Sequence, residues 1–434
     1  MYLALVGAFM FAAIIYLLMK GKAIPLVVLT LVPIVCCFLA GYNFVETVEL
    51  IGSGVGSVWK NAALFIFSII FFGVMSDAGM FDGLISRLTS MAGNNVVAVT
   101  VVTVIIGMVG HLDGAGATTV LITVPALMPL YKKMNIRLET LLLLVGVAMT
   151  TMNLVPWGGP TMRVATVLGM DVNDLWRQII PFQIVGAAFS IFVGVIFGVI
   201  EKKRGAGFIA SSINSAENED KTGEDLSLKR PKLVVVDMVL TLILMIGLVT
   251  GIAPAYILFM LACTIALVIN YPETGLQSKL FKRHAPNALL MSGTMLAAGV
   301  LVGVVNNTDI LMSMVNILVG LLPNFMGKYL HIIVALLALP IGIPFGGDAY
   351  YYALFPLLAE IGEPFGIAPV QMGIALLIGK NAGLMASPIQ PVTLLGTGMT
   401  NISLRDHLAF SFKYLWLISI ALVVIAIIMG QITL

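Results

Sequence analysis

Residues 111–119 read His111-Leu112-Asp113-Gly114-Ala115-Gly116-Ala117-Thr118-Thr119, and residues 343–350 read Ile343-Pro344-Phe345-Gly346-Gly347-Asp348-Ala349-Tyr350. Each sets an aspartate among glycines inside a membrane-length apolar region. Each also has the same sequel. An apolar run leads to Pro125 in one case and to Pro356 in the other. A helix-like stretch is then interrupted, at Pro156-Trp157-Gly158-Gly159-Pro160 and at Ser387-Pro388-Ile389-Gln390-Pro391. Paired, interrupted hydrophobic segments in corresponding halves of a chain mark a secondary transporter and point to its midplane binding site.

Composition agrees. Hydrophobic residues make up 60% of the chain and charged residues 10%, against about a quarter charged in soluble domains. The expected class is an all-α polytopic membrane protein, long enough for about 10 transmembrane helices of roughly 20 residues each. The net charge of +2 comes without a basic stripe interleaved with aromatics, so no nucleic-acid partner is expected. Cys36, Cys37 and Cys263 sit in apolar runs, form no CxxC site and read as packing residues. The N-terminus opens directly into an apolar run that Lys20 and Lys22 follow, as in a retained first span that starts outside.

Spans are expected at 2–19, 23–40 and 61–80, with 44–60, which carries Glu46, Glu49, Trp59 and Lys60, lying along the interface. The runs 96–110 and 118–130 are each short for a crossing. A re-entrant hairpin over about 96–131, its tip at Asp113, fits them better, since irregular backbone at that depth is tolerated only against protein or a water-filled cavity. A broken helix at about 138–170 and a span at 178–200 complete a first repeat over 1–200. Residues 201–232, polar with basic edges, read as a mobile cytoplasmic linker. The second repeat, 233–434, follows the same plan: spans at 233–253 and 255–270, a polar stretch at 272–287 and a span at 288–305. A hairpin at about 329–360 with Asp348 at its tip, a broken helix at about 369–396 and a last span at 408–430 come next. Five spans plus a hairpin cross an odd number of times, so the second repeat is expected to be inverted. Both termini then lie outside. Placing the linker inside puts most of the chain's lysines and arginines inside with it.

A hairpin tip ends two half-helices at the midplane. Their free N–H groups suit an anion, and their free carbonyls with side-chain oxygens suit a cation. Gly114, Gly116, Gly346 and Gly347 permit positive φ and close backbone approach. Thr118 and Thr119 are candidates to cap the outgoing half-helix or to coordinate a ligand. A carboxylate at the bilayer centre costs roughly 2.5–3.5 kcal/mol on insertion scales, so Asp113 and Asp348 need a proton, a metal or a basic partner. His111 suits proton coupling or metal binding, or else serves as a packed hydrogen-bond donor. Asn153, Gly158, Gly159 and Thr161 surround the first break and offer donors to a carboxylate. Arg163 either grips a carboxylate bidentately or snorkels outward. Lys380, at mid-depth beside Asn381, is expected to pair with Asp348, to stand in for a coupling cation or to attract an anionic substrate. Ser387, Gln390 and Thr393 complete the second break. No HExxH motif, catalytic aspartate pair or Ser/His dyad suggests an enzyme.

At HLDGAGATT (111–119), ITVPALMPLYKKMNI (122–136) and NLVPWGGPTMRVA (153–165), the chain resembles the citrate–divalent metal/proton symporters of the wider ion-transporter superfamily. GGDAYYYALFP (346–356) and ASPIQPVTLL (386–395) resemble that family's second-half motifs. The likeness runs over nearly the whole chain. Ala115 stands where such proteins often carry a second acidic residue, and the second break reads SPIQP. The resemblance implies proton-driven import of citrate complexed to Mg²⁺ or Ca²⁺ in a bacterial plasma membrane, with no permanently bound cofactor. It also implies elevator-type alternating access in a homodimer, with substrate held at the tips and breaks. Two other readings remain open on the residues alone: a symporter for another organic anion such as a dicarboxylate, gluconate or lactate, and a cation/proton antiporter.

Overall fold

The computed structural model describes residues 1–207, 226–321, 323–343, 345, 347–388 and 390–433. Pro344, Gly346, Ile389 and the middle of the expected linker lie outside the described residues. Among the described residues there are helices and turns and no strand. The first half comprises α1 (Tyr2–Met19), α2 (Pro25–Leu39), α3 (Phe44–Ala78), α4 (Asp82–Ala92), α5 (Val96–Gly110), α6 (Gly116–Lys133), α7 (Leu138–Met152), α8 (Gly159–Val167) and α9 (Val172–Lys203). The second comprises α10 (Val234–Thr250), α11 (Ala255–Asn270), α12 (Thr274–Asn306), α13 (Asp309–Leu321), α14 (Leu330–Gly342), α15 (Phe355–Gly362), α16 (Pro369–Asn381), α17 (Pro391–Thr400) and α18 (Leu404–Ile428).

The order of elements recurs. Each half has two apolar helices, a very long third, a short fourth, two arms flanking an aspartate-bearing tip, a helix broken in two and a long closing helix. In the second half the returning arm begins with a helical turn, Gly347–Ala349, and a π-helical turn, Tyr350–Leu354. A short turn, Asn324–Lys328, is added before α14.

The interfacial helix expected at 44–60 and the span expected at 61–80 are one helix, α3. Its start is fixed by a reciprocal cap. The Glu46 N–H donates to the Asn43 side chain at 3.0 Å, and the Asn43 N–H donates to the Glu46 carboxylate at 2.8 Å. Gly79, at φ +83°, ends it. At about 1.5 Å per residue such a helix outruns a hydrocarbon core of about 30 Å, so its polar first turns need not be buried in lipid. In the same way the polar stretch at 272–287 and the span at 288–305 fuse into α12. Residues 306–328, where the sequence suggests no element, hold α13, whose 13 residues are too few to register as a span.

α3 and α12, at the same place in the two halves, cross at glycines. A Cβ on Gly54 would collide with the Gly299 carbonyl oxygen and lie 2.5 Å from the Gly303 nitrogen. This is small-residue packing of the membrane type, with two backbones in contact. The Asp77 carboxylate bolts the end of α3 to α12, 2.8 Å from His284 Nε2 and 3.4 Å from Arg283 Nη1. Around this crossing gather α1, α2, α10, α11 and α13. A second group, α5 to α7 and α9 with α14, α16, α17 and α18, packs mainly on itself. The groups meet where α8 touches α3 and α12, where α1 touches the turns after Gly347, and where α15 touches α13. Among the described residues four helices, α3, α9, α12 and α18, are long and apolar enough to cross a membrane alone, and shorter apolar helices accompany them.

Candidate functional site

Both tips and both breaks converge, and each tip is strapped to the break of its own half. The Trp157 indole N–H donates to the Leu112 carbonyl at 2.6 Å, and the Ser387 hydroxyl donates to the Ile343 carbonyl at 3.3 Å. Each break is also closed by a threonine at the third position of its second half-helix. Thr161 donates across it to the Asn153 carbonyl at 3.5 Å, and Thr393 to the Leu384 carbonyl at 3.0 Å. Carbonyls that the interrupted helices leave without partners are thereby satisfied by side chains, as buried backbone requires. Trp157 is buried and lies against Phe72 and Phe259, with ring centroids 5.2 Å and 5.0 Å away, which fixes the first break on α3 and α11. Replacing Trp157 with phenylalanine keeps that packing and strands the Leu112 carbonyl. A loss of about 1–3 kcal/mol is expected, read as a lower midpoint of thermal unfolding in detergent.

At the first tip, the Asp113 carboxylate accepts the Ala115 N–H at 2.8 Å and faces the Thr118 side chain. Capping by Thr118 or Thr119 does not occur, because Ala115 is the N-cap and both threonines lie inside α6. Thr119 instead donates back to the Ala115 carbonyl at 3.0 Å and sits 2.6 Å from His111 Nδ1. His111 is buried against Asn153, and its Nε2 has no hydrogen-bond partner among the described residues. Gly114, at φ +73°, makes the turn. A Cβ there would lie 3.1 Å from the Trp157 carbonyl oxygen.

The halves then cross over. Gly116 of the first tip faces Val392 of the second break, where a Cβ would meet Cγ2 at 3.1 Å. Asp348 of the second tip pairs with Arg163 of the first break, Oδ1 to Nε at 2.7 Å. Arg163 therefore points inward and does not snorkel. Of the three roles that the sequence leaves open to Lys380, pairing with Asp348 is taken by Arg163 instead. Lys380 runs its stem along Gly342 of α14 and sets its ammonium 4.0 Å from the Tyr350 ring centroid and 5.1 Å from that of Tyr351. Its Nζ has no hydrogen-bond acceptor among the described residues, and when protonated it can be stabilised by those aromatic faces. The YYY run at 350–352 is the sequence signal for this cage. Gly347 and Gly159 flank the Arg163 guanidinium, and Gly158 is the N-cap of α8. A cavity of about 470 Å³ reaches Asp348 and Ala349 from the α1–α2 turn, with Leu18, Lys22, Ile24 and Pro25 on its wall. That is the size of a small-molecule site. Its wall carries the Asp348 carboxylate, whose partner is Arg163, and the Lys22 ammonium, so charges of both signs are at hand for a ligand of mixed charge.

Residues 14–379 match the citrate transporter family. The chain belongs to that family. Two relatives from Bacillus subtilis (strain 168) align over 99% of this chain: a citrate transporter, 35% identical over 100% of its own length, and a Mg²⁺/citrate complex secondary transporter, 34% identical over 99% of its length. The Alcanivorax borkumensis YdaH transporter has a similar fold, with a TM-score of 0.58 at 13% identity and 90% of each chain covered. Members of the citrate transporter family are transporters and not enzymes, and this chain is accordingly an integral membrane protein.

Proposed function

We propose that this protein imports citrate as a complex with a divalent cation, Mg²⁺ or Ca²⁺, together with protons, across a bacterial plasma membrane. The observation that carries the reading is the Arg163–Asp348 pair between the two halves, with Asp348 on the wall of a cavity. A metal–citrate complex presents carboxylates to the Arg163 guanidinium and the N-terminus of α8, and a cation to Asp348. A relative named for Mg²⁺/citrate transport, aligned end to end, supports the same cargo. His111, Asp113 and Lys380 are the candidate proton-handling groups. Gly114, Thr118, Thr119, Asn153, Gly158, Gly159, Gly347, Ser387 and Thr393 shape the binding surface.

In this reading the halves 1–200 and 233–434 are inverted repeats with re-entrant hairpins, and both termini lie outside. The group around α5, α7, α14 and α16 slides as an elevator against the α3–α12 group of a homodimer. The α1–α2 turn with Lys22 is part of the cavity wall, and the basic-residue rule assigns that turn to the cytoplasmic side, which supports reading this state as inward-open. The test is labelled-citrate uptake into proteoliposomes under an inward proton gradient, with Mg²⁺, Ca²⁺, Mn²⁺ or Zn²⁺ each supplied alone. Uptake that needs a metal and collapses with a protonophore is expected. Uptake that is indifferent to metal would move the cargo to a free organic anion. A pH gradient dissipated by metal without citrate would make the protein an antiporter.

A further inference from the structure

We infer that Arg163 and Asp348 exchange partners when cargo binds, and that this exchange is what makes recognition require metal and carboxylate together. The inference rests on the citrate–metal reading and adds a residue-level basis for its selectivity. The two side chains are 13% and 21% exposed and are joined through Nε and Oδ1 at 2.7 Å. Asp348 lines the cavity, so the pair lies where cargo arrives. Glycine leaves room on both sides of the guanidinium. A Cβ on Gly159 would come within 2.6 Å of Nη1, and one on Gly347 would lie 3.7 Å from Cζ. A carboxylate therefore has an approach to the fork that a larger residue would fill.

Each half of the cargo alone is penalised by the pair. Free citrate that takes Arg163 strands Asp348, half-buried, beside added negative charge. A bare cation that takes Asp348 strands Arg163 beside added positive charge. Removing one member of a desolvated pair costs far more than replacing both. The complex replaces both: its carboxylate takes the guanidinium, and its metal takes the Asp348 oxygen freed by the exchange. Mg²⁺ seeks six oxygens and keeps several waters, so one protein carboxylate completes a shell that citrate and water supply in the main. The pair joins the first break to the second tip, so the same exchange also loosens a contact between the halves.

The experiment measures labelled-citrate binding to the purified full-length protein in nanodiscs, with Mg²⁺ and with EDTA, for wild type and for Asp348→Asn. Wild type should bind the Mg²⁺ complex at least about tenfold more tightly than free citrate. In Asp348→Asn that ratio should fall to about one, chiefly because free citrate binds better once Arg163 is released. An equal loss of both forms in Asp348→Asn, or no metal preference in wild type, would overturn the exchange. Arg163→Lys keeps the charge pair without the fork and guards against misfolding. It should bind both forms more weakly and keep the metal preference, and a folded Arg163→Lys without that preference also overturns the exchange. If wild type binds no citrate in either form, the same paired measurement is made with other di- and hydroxycarboxylates. A metal preference that Asp348→Asn erases then upholds the exchange while the citrate reading falls. A bound acid without metal preference sinks the exchange.

Discussion

Gly158→Ala is expected to abolish uptake, and Gly159→Ala, one residue on, to weaken it while leaving the fold intact. The two glycines look alike in the sequence but face different neighbours. A Cβ on Gly158 would collide with the Asn153 carbonyl oxygen and lie 3.0 Å from the Val155 carbonyl oxygen. Both are backbone atoms and cannot rotate away. The turn from α7 to α8 must open, and the Thr161 bond to the Asn153 carbonyl and the Trp157 strap to Leu112 go with it. Overpacking of this kind costs about 1–3 kcal/mol, within reach of a protein that stays folded, but the N-terminus of α8 and Arg163 are no longer aimed at the cavity. At Gly159 the atom met is Nη1 of Arg163, at 2.6 Å. That is the far end of a flexible side chain, so it gives way, and the Arg163–Asp348 geometry is what suffers. Citrate uptake set beside thermal unfolding in detergent separates the cases: no uptake with a moderately lowered midpoint for Gly158→Ala, a raised KM with an unchanged midpoint for Gly159→Ala. Wild-type uptake in Gly158→Ala would remove the first break from the site.

The tips and breaks were legible because glycine and proline inside apolar runs have few other uses. Which charges meet across the halves was not. Arg163 and Asp348 are far apart in sequence, and the chain offers two cations at plausible depth, Arg163 and Lys380. Composition cannot choose between them. The choice is made by the crossing of the two halves, which brings α8 to the second tip and turns Lys380 toward Tyr350. Trp157 was visible as a break residue but not as a strap, since its partner is a backbone carbonyl. The division of α3 at residue 60 had a different cause. Hydropathy falls across 44–60 while the helix-start signature, Asn43 with Glu46 three residues on, was present and readable. A fall in polarity suggests an element boundary, whereas a helix longer than the bilayer is thick crosses that change unbroken.

Gly303→Leu should be more destabilising still, because it strikes where α3 and α12 touch backbone to backbone. A Cβ on Gly303 would collide with the Leu50 carbonyl oxygen and lie 3.1 Å from the Gly54 Cα, and one on Gly299 would lie 2.7 Å from Val58 Cγ2. No rotamer relieves a clash with a carbonyl in a helix, so the helices must part. Parting them opens voids along two of the longest helices in the chain and pulls at the Asp77 contacts to His284 and Arg283. In membranes the packing of small residues is itself the main attraction between helices, since lipid replaces lost side-chain contacts without a hydrophobic penalty. A loss of at least about 3 kcal/mol is expected, the upper end of single overpacking effects, seen as a sharp fall in folded yield and in the unfolding midpoint. The internal control is Gly52→Ala on α3, the other helix of the crossing, where a Cβ meets nothing within 4 Å. There the only change is the helix preference of alanine over glycine, a gain of about 0.5–1 kcal/mol. Equal tolerance of both substitutions would mean that the α3–α12 crossing is not the frame against which the rest of the protein is held.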